Sequence, residues 1–158
     1  MPAPRALPVE PRSMNTIEAI RARRSVRKYQ AGKVLPQEHI DLLLEAAMSA
    51  PSACNSRPWE FVVVESAELR KQITAIHPHC RFLPDAALAL VVCGLPEALP
   101  TAPGDGFWPQ DCAAATQNIL LTATELGYGT CWCGVYPDRD LAAAMNRPLR
   151  TGRRGNTR

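Results

Sequence analysis

Apolar positions along this chain recur with two periods, and the alternation between them lays out the elements. Ile17, Ala19 and Ile20 give one apolar side to a short helix that runs as far as Arg24, with Asn15 as its cap and Glu18 at the reciprocal position of a capping box. Between Pro36 and Pro51, residues Ile40, Leu43, Leu44, Ala47 and Met48 recur at helical spacing and predict a second helix with a core-facing side. The β-branched run 59–64 is too short for a helix and reads as a strand; Ser66 then caps a helix whose Leu69, Ile73 and Ile76 share a face. Residues 86–93 are almost wholly apolar and stop at Gly94, which predicts a strand buried on both faces. A Pro- and Gly-rich loop over 95–108 follows; its Phe107 and Trp108 are read as packing residues, with cover for a substrate as the alternative. The longest helical pattern spans 110–126 and ends at Gly127. Its Ala113, Ala114, Gln117, Leu120, Leu121 and Thr124 allow a close approach by another helix, as at the centre of a dimer. An apolar strand pattern covers 130–134, and Pro137 and Asp138 begin a last helix reaching about Met145, beyond which no apolar pattern continues.

The chain has 158 residues, 46% of them hydrophobic, which suits one domain with a core of its own. Its net charge of +3 is spread among interspersed acids, which argues against nucleic acid as a partner, and no apolar run reaches membrane-spanning length. Residues 1–13 carry Pro2, Pro4, Pro8 and Pro11 and read as a disordered extension, neither secretory signal nor helix, with Met14 as the expected start. The folded domain is expected over 14–147 and a disordered basic tail over 148–158. Six cysteines without a secretion signal read as reduced thiols in a cytoplasm. His77, His79 and Cys80 with the Cys131-x-Cys133 pair raise a zinc site, but the C-x-C spacing is not the usual knuckle, and the two cysteines read as buried small apolar residues.

Two stretches carry chemistry. Arg23-Arg24-Ser25-Val26-Arg27 packs three guanidinium groups and a hydroxyl into five residues, a receptor for one phosphate, because each planar fork donates two parallel hydrogen bonds and keeps its charge; a solvated basic face is the alternative. Pro51-Ser52-Ala53-Cys54-Asn55-Ser56-Arg57-Pro58-Trp59 is a short polar loop pinned by prolines, able to offer amides and hydroxyls to a polar ring edge. In this order the two resemble the phosphate site and flavin loop of the FMN-dependent nitroreductase family. The run from Asp111 is similar to that family's central helix, and Leu126-Gly127-Tyr128-Gly129-Thr130-Cys131-Trp132-Cys133-Gly134 is similar to its third motif, although a glycine-capped helix followed by an ordinary buried strand satisfies the same residues.

The resemblance covers residues 14–147 and implies an α+β fold, a three-layer α-β-α sandwich with a mixed, mostly antiparallel sheet. It implies a homodimer with FMN at the interface, NADH or NADPH as electron donor, and a nitroaromatic, quinone or similar small acceptor; deiodinating and dehydrogenating relatives share the motifs. Arg23, Arg24, Ser25 and Arg27 fall to the phosphate and ribityl end. Pro51, Ser52 and Asn55 fall to the ring, from the other subunit, and main-chain donors of Cys133 and Gly134 fall to the N5 edge. The flavin carries the chemistry, so no catalytic side chain is assigned. The family's further C-terminal strand finds no counterpart after Met145, so the chain is expected to be truncated, and a flavin-binding remnant without turnover is the alternative.

Overall fold

The computed structural model describes residues 14–98 and 106–152. The 1–13 extension, residues 99–105 of the long loop and residues 153–158 lie outside the described residues. In order, the elements are α1 (Thr16–Ala22), α2 (Gln37–Met48), β1 (Trp59–Val64), α3 (Ala67–Ile76), β2 (Ala89–Gly94), α4 (Trp108–Glu125) and α5 (Arg139–Gly152), with short 3-10 turns at Ala53–Asn55, Leu83–Asp85 and Pro96–Ala98.

Local chemistry sets the helix starts. Asn15 and Glu18 form the reciprocal box, the cap oxygen accepting from Glu18 N–H at 3.0 Å and the Glu18 carboxylate from Asn15 N–H at 2.9 Å. Ser66 caps α3 through Leu69 N–H, and Pro109 lies in the first turn of α4, where its missing donor costs nothing. α1 stops at Ala22 and not at Arg24: Arg23 is its C-cap, in a non-helical conformation that turns the arginine run out of the helix.

β1 and β2 pair antiparallel, Trp59 opposite Gly94 and Val64 opposite Ala89. The period of two then sorts their side chains. Trp59, Phe61, Leu90 and Val92 pack with Leu43 and Ala47 of α2 and with Cys112, Ala115, Ile119 and Ala123 of α4. Val62, Val64, Ala89 and Val91 face the other way, onto Ile73 of α3 and Met145 and Leu149 of α5. The sheet is thus the middle of three layers, α-β-α, which is why both strands are apolar at consecutive positions. β2 begins at Ala89, three residues after the expected point, and its six residues are half-buried.

Two expectations give way. The 130–134 segment is no strand: it makes one isolated parallel bridge, Thr130 with Ser25, and Cys131 and Cys133 are half-buried, not fully buried. α5 does not stop near Met145 but runs to Gly152, through Pro148, because Met145 and Leu149, four residues apart, both enter the second core. Residues 148–152, read as the start of the disordered tail, are thus the end of this helix.

Gly94 joins the sheet to α4. A β-carbon there would sit 2.1 Å from Trp108 Cε3, and the Trp108 ring is in turn held edge-on against Tyr136 at a centroid separation of 4.8 Å. Gly94→Ala is expected to push the indole aside and destabilise the fold by about 1–3 kcal/mol. Denaturation midpoints and tryptophan fluorescence check this; a midpoint equal to wild type would show that the ring yields freely.

Candidate functional site

The arginine arm begins where α1 ends. Arg23 N–H closes the helix on Ala19 O at 2.9 Å, after which the chain leaves in an extended course. Arg23 is half-buried, while Arg24, Ser25 and Arg27 are exposed. Among the described residues no carboxylate pairs with these three guanidinium groups; Arg24 Nε donates only to Ala22 O, at 3.3 Å. A helix C-terminus repels anions, so any anion here is held by the side chains alone.

Ser25 and Val26 dock onto the segment that follows α4. Val26 N–H donates to Thr130 O at 2.8 Å, and the approach is so close that a β-carbon on Gly129 would lie 2.9 Å from Val26 Cβ. Only glycine fits there. Tyr29 O–H donates back to Val26 O at 2.8 Å, and burial first, then the neighbouring Cys131 and Cys133, push its phenol up to about 12, so the donor persists at neutral pH. Thr130 Oγ1 is buried at this junction with no hydrogen-bond partner among the described residues.

Beyond Thr130 the chain presents Cys131, Trp132, Cys133 and Gly134. Trp132 is 49% exposed, Gly134 is exposed, and an added β-carbon on Gly134 would meet nothing within 4 Å. The turn after α3 backs this segment: Cys133 packs against the cluster that contains Cys80, a proximity that lowers the Cys80 thiol and raises the Cys133 thiol, and the His77 ring reaches Gly134 O at 3.0 Å. The histidine and cysteine clusters that raised a zinc site are therefore neighbours in space. Among the described residues, no group of three or more His, Cys, Asp or Glu is arranged to hold a metal.

The second stretch is a strained loop. Cys54, Asn55 and Arg57 have φ of 52°, 55° and 47°, three non-glycine residues in the left-handed region within four positions. Each such residue costs on the order of 1 kcal/mol or more and persists only where its surroundings hold it. Asp111, in the first turn of α4, supplies much of that hold: both carboxylate oxygens accept from Ala53 N–H, at 3.2 and 3.3 Å. The helix N-terminus favours the buried charge. The Cys112 thiol, pushed up to about 11 by burial first and Asp111 next, stays protonated and donates to Pro58 O at 3.6 Å. Inside the loop Ser52 Oγ accepts from Arg57 N–H at 3.0 Å, and Asn55 Oδ1 from Arg57 Nε at 3.2 Å.

The structure thus brings Arg23–Arg27 together with 129–134 but anchors Pro51, Ser52 and Asn55 elsewhere. The loop hangs on the first turn of α4, and the arm docks on residues just past its last turn. An α-helix rises about 1.5 Å per residue, so the 16 positions from Asp111 to Gly127 span roughly 24 Å. Asp111 carried no role in the sequence reading, yet a carboxylate two residues after a first-turn proline was a signal for a helix-start acceptor. Asp111→Ala is expected to strand Ala53 N–H and to cost about 1.5–3 kcal/mol, because a hydrogen bond to a charged acceptor is lost, and to leave the strained loop free to relax. Amide exchange at Ala53 should accelerate, as should cleavage within residues 52–57 by a protease of broad specificity; unchanged exchange would show that the loop keeps its shape unaided.

The nitroreductase family model matches residues 20–80 and 77–152. A protein of Methanothermobacter thermautotrophicus that carries the provisional name NADH dehydrogenase/NAD(P)H nitroreductase is 47% identical over 134 residues, 85% of this chain and 68% of that one. Among solved structures, a protein of Parabacteroides distasonis bearing the same provisional name superposes with a TM-score of 0.78 at 38% identity, covering 85% of this chain and 77% of the other. A nitroreductase, also provisionally named, from Desulfovibrio desulfuricans, solved in complex with FMN, superposes with a TM-score of 0.70 at 28% identity, over 87% and 76% of the two chains. With its fold, its arginine arm and its left-handed loop set beside these likenesses, the chain belongs to the nitroreductase family and is an oxidoreductase of the FMN type.

Proposed function

We propose that the protein binds FMN between two copies of itself and uses it to pass electrons from NADH or NADPH to a nitroaromatic, quinone or similar small acceptor in the cytoplasm. The observation that supports this reading is the junction of Val26 with Thr130, which joins the stretch carrying Arg23, Arg24 and Arg27 to the segment that continues into 131–134. When bound, FMN supplies the two-electron chemistry, accepting a hydride from the nicotinamide and returning the electrons to the acceptor.

The residues suit that ligand. Arg23, Arg24 and Arg27 offer charge to a phosphate, Ser25 offers a hydroxyl, and Thr130 Oγ1 is a buried polar atom that meets no hydrogen-bond partner among the described residues. Gly134 leaves its β-carbon side open, so a planar group can approach its backbone, and amides of Cys133 and Gly134 would stabilise negative charge developing on a ring there. Such donors need no side chain, which leaves the Cys133 thiol outside the electron path. Pro51, Ser52 and Asn55 are read as the ring contacts of the opposite copy, because α4 separates them from the arm of their own chain. The half-buried Ala113, Gln117 and Leu121 of α4 are read as part of the surface where the copies meet.

Titration of the apoprotein with FMN, followed by NADH or NADPH without oxygen, tests the reading. Wild type is expected to hold the flavin and to bleach. Arg23→Ala and Arg27→Ala should each weaken binding roughly 10- to 150-fold, the loss of one charge-assisted hydrogen bond of about 1.5–3 kcal/mol. Equal affinities in both variants would remove the arm from the site, and bound flavin that no nicotinamide bleaches would reduce the protein to a flavin carrier.

A further inference from the structure

We infer that His77 is the positioning residue of the segment 131–134, fixing its far end through a single neutral tautomer; the inference rests on the FMN site proposed above. His77 is 2% exposed at the C-cap of α3, and its backbone is committed on both sides, N–H to Ile73 O at 2.8 Å and carbonyl to Cys80 N–H at 3.2 Å. Its ring has two backbone neighbours of opposite kind. Nδ1 lies 3.2 Å from His79 N, a group that can only donate, and Nε2 lies 3.0 Å from Gly134 O, a group that can only accept. Both contacts are satisfied together by one arrangement, the bare lone pair on Nδ1 and the proton on Nε2. The other tautomer would set donor against donor at Nδ1 and lone pair against lone pair at Nε2.

Gly134 needs such a hold. It has no side chain to pack, its β-carbon side is open, and its backbone is exposed. Four residues upstream, Thr130 O is fixed by Val26 N–H. The span that carries the proposed ring-edge donors is therefore clamped at one end by the arginine arm and at the other by His77, with Cys133 packed against the core cluster that contains Cys80. Fixing the Gly134 carbonyl holds the Gly134–Val135 peptide plane, and so anchors the chain immediately beyond the Cys133 and Gly134 amides and limits how far they can swing. Preorganised donors of this kind act without reorienting when charge develops. His77 touches no ligand; it acts through Gly134.

Nitrogen-15 NMR of the ligand-free protein reads the first half of this inference: His77 is expected as a neutral ring protonated on Nε2, and a ring protonated on Nδ1 would overturn it. The second half is read in the FMN-loaded protein with two variants. His77→Gln keeps an amide donor at the reach of Nε2, whereas His77→Leu fills the volume without a donor. The Gln variant should match wild type in the reduction potential of bound FMN and in its rate of reduction by NAD(P)H. The Leu variant should bind the reduced form about tenfold more weakly relative to the oxidised form, a shift of about 30 mV to more negative potential, with a similarly slower reduction. A potential and rate in His77→Leu equal to wild type would show that the histidine only fills the core, and the flavin site would stand. Failure of the wild-type protein to take up FMN would remove the site and this inference with it. Should His77→Leu fail to fold, the NMR tautomer and the Gln variant decide: a Gln variant that folds and bleaches but has lost the wild-type potential overturns the inference.

Discussion

The hydrogen bond from Val26 N–H to Thr130 O is the contact on which the candidate site depends. It links two segments more than a hundred residues apart in sequence, one leaving α1 and one leaving α4, and no side chain specifies it. What permits it is an absence: Gly129 has no β-carbon, and the Val26 side chain occupies the space that one would fill. From that junction follow the placement of the arginine arm, the course of Cys131 to Gly134, and the burial of Tyr29 against the second core. A charged arm on a short helix would otherwise be a solvated basic face.

α4 is the spacer between the arginine arm and the left-handed loop. One end carries Asp111 and Cys112, which hold a loop of three left-handed residues to the helix start; the other leads into the junction with Val26. Strain of that kind is stable only where rigid elements impose it, and both Trp59 and Pro58 behind the loop are buried. In the proposed dimer, two-fold symmetry would bring the loop of one copy to the arm of the other, twice, which would account for the separation without any movement inside the chain.

The elements with strong local signals were legible in the sequence. Asn15 with Glu18, Ser66, the 59–64 run and the small-residue helix of α4 are each specified by neighbours within a turn or a pleat. What failed to show depends on partners far along the chain. The last turns of α5 look polar because only Met145 and Leu149 are apolar there, and their value is set by the pocket that α3 and the sheet offer them. The 130–134 run looks like a strand because its composition is apolar, yet only Thr130 finds a ladder partner among the described residues. Arg23, Ser25, Arg27, Ser52 and Asn55 were found as residue types in a spacing; that the arm and loop sit at opposite ends of one helix was not readable. Asp111 and His77 were missed or misread because each acts on a backbone group more than fifty positions away.

Mixing two complementary variants tests the shared site most directly. One chain carries Arg23→Ala with Arg27→Ala and keeps its loop; the other carries Ser52→Ala with Asn55→Ala and keeps its arm. The two are unfolded together, refolded at equal amounts, and measured at an FMN concentration that fills wild type but neither variant alone. A site built from two copies has one intact pairing of arm and loop in every mixed dimer, so random assortment should restore about a quarter of the wild-type FMN sites. No recovery in a mixture shown to contain mixed dimers would contradict the account, because it would place arm and loop of the same chain around the same flavin.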